Sequence, residues 1–119
     1  MVHTAYEVRD RIKSETGYEP CLINVRFINP LDVERVKETI ESFDYIAVME
    51  ETVRRGSIGE AVAYEMSTSE NRCGSRLLHY CVKSEVLQHG SVKRLKEEQG
   101  LDADTIYEDI ISHISKKLF

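Results

Sequence analysis

The sequence predicts an α/β domain built as three layers, α/β/α, around a mainly parallel sheet. Two observations carry this. Helix-period and strand-like segments alternate along the chain in the order α β α β α β α α, which calls for parallel strands with helices on both faces. The strand candidates "CLINVRFI", "YIAVMEE" and "LLHYCV" are also apolar on successive residues, as expected where both faces of a strand are covered.

Taken in order, residues 3 to 16 place Ala5, Val8 and Ile12 at helical spacing, and Gly17 supplies a left-handed stop. Residues 21 to 28 are β-branched and aromatic and read as the first strand, closed by Pro30. Asp32 is placed to accept the first free amide hydrogens of a helix whose Val33, Val36 and Ile40 share a face. Residues 45 to 51 form the second strand candidate. Ser57, with Glu60 three residues on, reads as a capping box, so a helix from Ile58 to about Ser67 presents Ala61, Val62 and Met66 inward. Residues 77 to 82 are the third strand. A short helix ends at Gly100, and a longer one carries Ile106, Ile110 and Ile114 on one stripe, with Lys116 and Lys117 in its last turn.

Length and charge limit the function classes. The 119 residues fit one domain, 1–119, with 41% apolar content, enough for a modest core. Sixteen Lys and Arg against 21 Asp and Glu give a net charge of −5, which argues against nucleic-acid or anionic-membrane partners. No apolar run approaches the roughly 20 residues of a membrane span, so the expected setting is cytoplasmic. Cys21, Cys73 and Cys81 lack metal-ligand spacing and cannot all pair, which suits reduced thiols.

The stretch "EETVRRGSIGEAV" is the most informative. A strand ending near Glu51, a turn at Gly56 and a helix starting at Ser57 resemble the arrangement that binds anions at a helix N-terminus, with Arg54 and Arg55 as added donors. GSIG is neither a dinucleotide fingerprint nor a P-loop. The structural reading is preferred: Gly56 permits the turn, Ser57 caps, and Gly59 lets the helix approach the sheet. Glu50 and Glu51 point to opposite faces of a strand and so cannot act as an acid–base pair; one is expected buried against an arginine. His79 reads as a core or cross-strand residue. His89, beside Gly90 before the second-last helix, can donate to a carbonyl or face a partner. Arg54, Arg55, Gly56, Ser57 and His89 are thus the anion or interface candidates, and no catalytic, cofactor-binding or metal residue is assigned.

The segments "INVRFINPLD", "YIAVMEETVRRGSIGEAVAYEM" and "QHGSVKRLKEEQGLDADTIYEDI" resemble the C-terminal domain of the transketolase family. The HG pair, Ser91 and GLDADTI are similar to its 1-deoxy-D-xylulose-5-phosphate synthase branch more than to transketolases or the β subunits of 2-oxoacid dehydrogenases. The resemblance implies an enzyme joining pyruvate to glyceraldehyde 3-phosphate with loss of CO2, an isoprenoid-precursor step using thiamine diphosphate and Mg2+. It also implies a homodimer whose cofactor and substrate residues lie in other domains. This chain would be structural and dimer-supporting, inactive alone, with the remaining domains as its partners. A stand-alone phosphate-binding regulatory module is the rival of a different class.

Two departures from the family pattern bear on this. Arg55 stands where the family turn has the first of paired glycines, making close approach by a ligand harder. Two strands that precede the first helix in the family are missing, so the chain reads as a fragment or split-gene subunit. One of those strands separates residues 22–28 from 45–51 in the family sheet, so these either pair directly or leave an open groove. Stability below that of a chain carrying both strands is expected.

Overall fold

A computed structural model of the chain describes residues 1–25, 31–68, 74–83 and 91–118. The element order is α1 (Val2–Thr16), α2 (Val33–Ser42), β1 (Tyr45–Val53), α3 (Ile58–Thr68), β2 (Arg76–Val82), α4 (Val92–Gln99) and α5 (Ala103–Leu118). Local chemistry sets the helix ends. Gly17 adopts φ +79° and its N–H returns to the Lys13 carbonyl, closing α1. Asp32 Oδ1 accepts the Arg35 N–H at 3.2 Å to open α2, and Ser91 Oγ accepts the Arg94 N–H at 3.2 Å to open α4. Gly100, at φ +71°, and Leu101 return their N–H groups to Glu97 and Lys96 to end α4. Asp102 Oδ2 then accepts the Thr105 N–H at 3.0 Å to start α5.

β1 and β2 run parallel, with Tyr45 opposite Arg76 and Met49 opposite Tyr80. The register then slips, and Val53 meets Val82, so β1 carries two extra residues within the Glu50–Thr52 stretch. The alternation of side chains across the pleat divides the molecule. On one face α1 and α5 pack over the sheet, where Val8, Ile12, Leu78, Ile106, Tyr107 and Ile110 form the core, with Tyr45, Met49 and Tyr80 against it. The other face carries Glu50 and His79 beneath α3, which buries Gly59 and Val62. α2 packs on α3. Helices on both faces of a parallel sheet give the three-layer α/β/α architecture expected from the alternation of elements.

Ile106 has no exposed surface and Val8 2%; burying each stabilises the fold by about 1.5–3 kcal/mol. Across the α1–α5 seam, the Arg11 guanidinium lies 3.9 Å over the Tyr107 ring and bonds Asp104 at 2.9 Å, while Glu15 accepts the Tyr107 hydroxyl.

Three sequence expectations need correction. Residues 21–25 form no strand, and Ile23 and Val25 are exposed; the rest of the expected strand, 26–28, lies outside the described residues. A β-branched run becomes a strand only where another strand pairs with it, and β2 is the one strand on β1 among the described residues. The buried stripe of α1 is Thr4, Val8 and Ile12 rather than one including Ala5, which is half-buried. Val33 is exposed on α2, where only Ile40 is fully buried. β1's far edge therefore has no strand partner among the described residues, and Ala47, at mid-strand, is exposed.

Candidate functional site

The site grows from the slip in β1. There the strand stops matching β2 residue for residue and turns the Glu50 side chain towards the start of α3. Glu50 is 8% exposed, and its two oxygens take four donors. Oε1 accepts the Ile58 N–H at 3.1 Å and the Thr52 hydroxyl at 3.0 Å. Oε2 accepts the Gly59 N–H at 2.9 Å and lies 2.7 Å from His79 Nε2. Burial raises the carboxyl's pKa, but the Gly59 amide, His79, the Ile58 amide and Thr52 outweigh it, and the group ends below the usual carboxylate value. An ionised carboxylate is acceptor-only, so the proton in the His79–Glu50 bond sits on Nε2.

Ser57 completes the helix cap. Its buried Oγ accepts the Glu60 N–H at 3.1 Å, and Glu60 Oε1 accepts the Gly56 N–H at 3.4 Å. The reciprocal pattern expected from Ser57 and Glu60 is present, displaced by one residue, since the glutamate reaches Gly56 rather than Ser57 itself. The first three amides of α3 are thus all occupied from within the chain: Ile58 and Gly59 by Glu50, Glu60 by Ser57. Gly59 is required by proximity, because a methyl group there would overlap the His79 ring. Gly56 is required by conformation, at φ +77°.

Arg54, Arg55, Gly56 and Ser57 lie together on this turn; both arginines are exposed and neither has an ion-pair partner among the described residues. His89 lies outside the described residues. The expected partnership of a buried glutamate with an arginine is corrected: Glu50 is the buried one, and its partner is His79, because the arginines of the turn project from its outer side. Glu51 faces the opposite way and pairs with Lys96 at 2.9 Å and the Met1 amino group at 3.5 Å; the Lys96 bond holds its carboxyl below the usual range. Cys81, two residues beyond His79, has its thiol pushed up by burial and by the charge of Glu50, so it stays protonated. Sequence reading missed the role of Glu50 as a cap. Glu50 and His79 are 29 residues apart, and the only local signal is an acid eight and nine residues ahead of the first amides of a predicted helix.

A second polar surface, a groove between α1, α4 and α5, is lined by Glu7, Lys93, Lys96, Glu97, Asp102 and Asp104. Its four carboxylates and two lysines are mixed and open to solvent. Among the described residues, no three His, Cys, Asp or Glu side chains are grouped to hold a metal ion.

The family described as transketolase, C-terminal domain, matches residues 1–106. The chain belongs to that family. As a transketolase C-terminal domain it is similar to 1-deoxy-D-xylulose-5-phosphate synthases. That of Lachnoclostridium phytofermentans is 36% identical over 110 residues, covering 92% of this chain and 17% of the relative. That of Dictyoglomus thermophilum is 32% identical over 112 residues, covering 94% and 18%. That of Heliobacterium modesticaldum is 32% identical over 106 residues, covering 89% and 16%. The chain therefore spans less than a fifth of the length of these curated relatives. The family match over residues 1–106 spans the stretch from Glu50 to His79, where in this chain Glu50, Ser57 and His79 fix strand to helix.

Proposed function

We propose that this chain works as the C-terminal domain of a 1-deoxy-D-xylulose-5-phosphate synthase, supporting an assembled homodimeric, cytoplasmic enzyme rather than carrying out its chemistry. The observation that carries this reading is the closed end of α3. The one place where the sequence offered a phosphate cradle is filled by the chain's own carboxylate, and an incoming anion would meet Glu50 at Ile58 and Gly59. The name shared by the relatives supports the reaction assigned to the whole enzyme, the joining of pyruvate to glyceraldehyde 3-phosphate. Thiamine diphosphate and Mg2+ belong to that reaction. The chain spans only 17% of the Lachnoclostridium phytofermentans relative, which supports placing those groups in the remaining domains.

The partners are then the other domains of the synthase. The exposed Arg54–Arg55 turn and His89 are assigned to the same support role as interface residues.

Expressing the chain with and without the rest of the synthase polypeptide tests the reading. Pyruvate-dependent formation of 1-deoxy-D-xylulose 5-phosphate is expected only when both are present. Product from the 119-residue chain alone would refute it, and so would full activity of the remainder without the chain.

A further inference from the structure

The Glu50 cluster is separate from the core that holds the fold together. The core residues Val8, Ile12, Leu78, Ile106 and Ile110 sit under α1 and α5, whereas Glu50 and His79 lie on the opposite face beneath α3. We propose that the Glu50–His79 contact is an acid-released latch: a proton on the Glu50 carboxyl frees the first turn of α3 and the 54–57 turn while the α1–α5 core stays folded. This stands on the cluster's geometry and not on the assignment of the chain to a synthase.

Both oxygens of Glu50 already accept two donors each. A carboxylic acid must donate from one of them, and two of the four neighbours, the Ile58 and Gly59 N–H groups, are donors that cannot accept. The Thr52 hydroxyl can rotate to accept the new O–H, whereas His79 accepts it only as a neutral ring in its other tautomer. The amide bonds to the helix end lose their charge-assisted strength in either case.

The surroundings do not compensate. β2 contributes His79 and the protonated Cys81 on the same face; the turn contributes Arg54, whose charge reaches Cys81, and the exposed Arg55. α3 contributes Glu60, engaged with Gly56, and the neighbouring β1 acid, Glu51, is paired with Lys96 on the other face. The folded pKa of Glu50 lies below its ordinary value. The latch's contribution is therefore complete above the ordinary carboxyl pKa and is lost as pH falls through the lowered folded value.

The test is backbone-amide NMR with hydrogen exchange on the full chain, from neutral pH down to about pH 3. The Ile58 and Gly59 amides are expected to shift together with one midpoint below the ordinary carboxyl value and to lose protection by about tenfold or more, while Leu78 and Ile106 keep theirs. Glu50→Gln, which keeps one acceptor oxygen, is expected to leave at least one of the Ile58 and Gly59 amides unprotected at every pH and to abolish the step. Should that variant not fold, His79→Gln, which keeps an N–H donor but removes the ring, is expected to move the midpoint upward. The proposal is overturned if Ile58 and Gly59 stay protected throughout, if they lose protection only together with Leu78 and Ile106, or if His79→Gln leaves the midpoint unmoved.

Discussion

A single carboxylate decides what the most suggestive stretch of this chain can do. With four donors on two oxygens, Glu50 has no neutral isostere that keeps every bond, because the amide nitrogen of Gln in either position would face a backbone N–H, that of Ile58 or of Gly59. Glu50→Gln is expected to cost about 1–3 kcal/mol in urea denaturation. Glu51→Gln, whose side chain is 55% exposed, is expected to cost less than about 1 kcal/mol. Gly59→Ala is expected to destabilise by about 1–3 kcal/mol through its overlap with His79, and the loss should shrink when His79→Ala is added, a coupling that a double-mutant cycle measures. Equal losses for Gly59→Ala in the two backgrounds would show that the ring is not the obstacle. The roles of Gly56 and Ser57 were legible in the sequence because each acts within its own turn, and that of Gly59 because a glycine at the start of a helix that follows a strand suits a close approach to the sheet, although the ring it makes room for, His79, was not. The role of Glu50 was not, since its partner His79 arrives from a strand 29 residues later and nothing in either local pattern names the other.

At the level of elements, the helices follow from their periodicity and caps, and the burial they achieve ranks their importance. α5 is the most deeply inserted, with Ile106, Tyr107 and Ile110 buried, whereas α4 buries none of its residues and α2 only Ile40. Ile106→Ala is expected to cost about 2–5 kcal/mol, and Val33→Ala on α2 less than about 0.5 kcal/mol, by chemical denaturation. Similar losses at the two sites would mean that the α1–α5 core is not the main source of stability. The segment 21–25 marks the limit of local reading: its residue types suit a strand, but strand pairing is supplied by neighbours that no local pattern reports. β1 and β2 were legible because each carries a run of apolar residues that both layers of helix cover, although the slip at Glu50–Thr52, which aims the cap, left no sequence signal.

For the whole molecule, the carboxylates tie stability to pH. Glu15, Glu50, Glu51 and Asp102 all lie below their ordinary pKa values, by hydrogen bonding to Tyr107, by the α3 amides and His79 against the cost of burial, by Lys96, and by Thr105 against burial, respectively. Their joint contribution is present above the unfolded carboxyl pKa and declines as pH falls through the folded values. Thermal midpoints are therefore expected to be flat near neutrality and to drop below about pH 4; a midpoint unchanged at acid pH would remove these groups from the account. Binding of the remaining domains of a synthase, the partners proposed for this chain, is expected to raise the same thermal midpoint. The proposed scaffold role depends on α3 being closed by the chain itself, with its first three amides taken by Glu50 and Ser57. Titration of the isotopically labelled chain with glyceraldehyde 3-phosphate and with inorganic phosphate, followed at the Ile58, Gly59 and Glu60 amides, tests this most directly. Those amides are expected to stay unmoved up to millimolar ligand; saturable shifts there at neutral pH would show that the helix end is open and contradict the account.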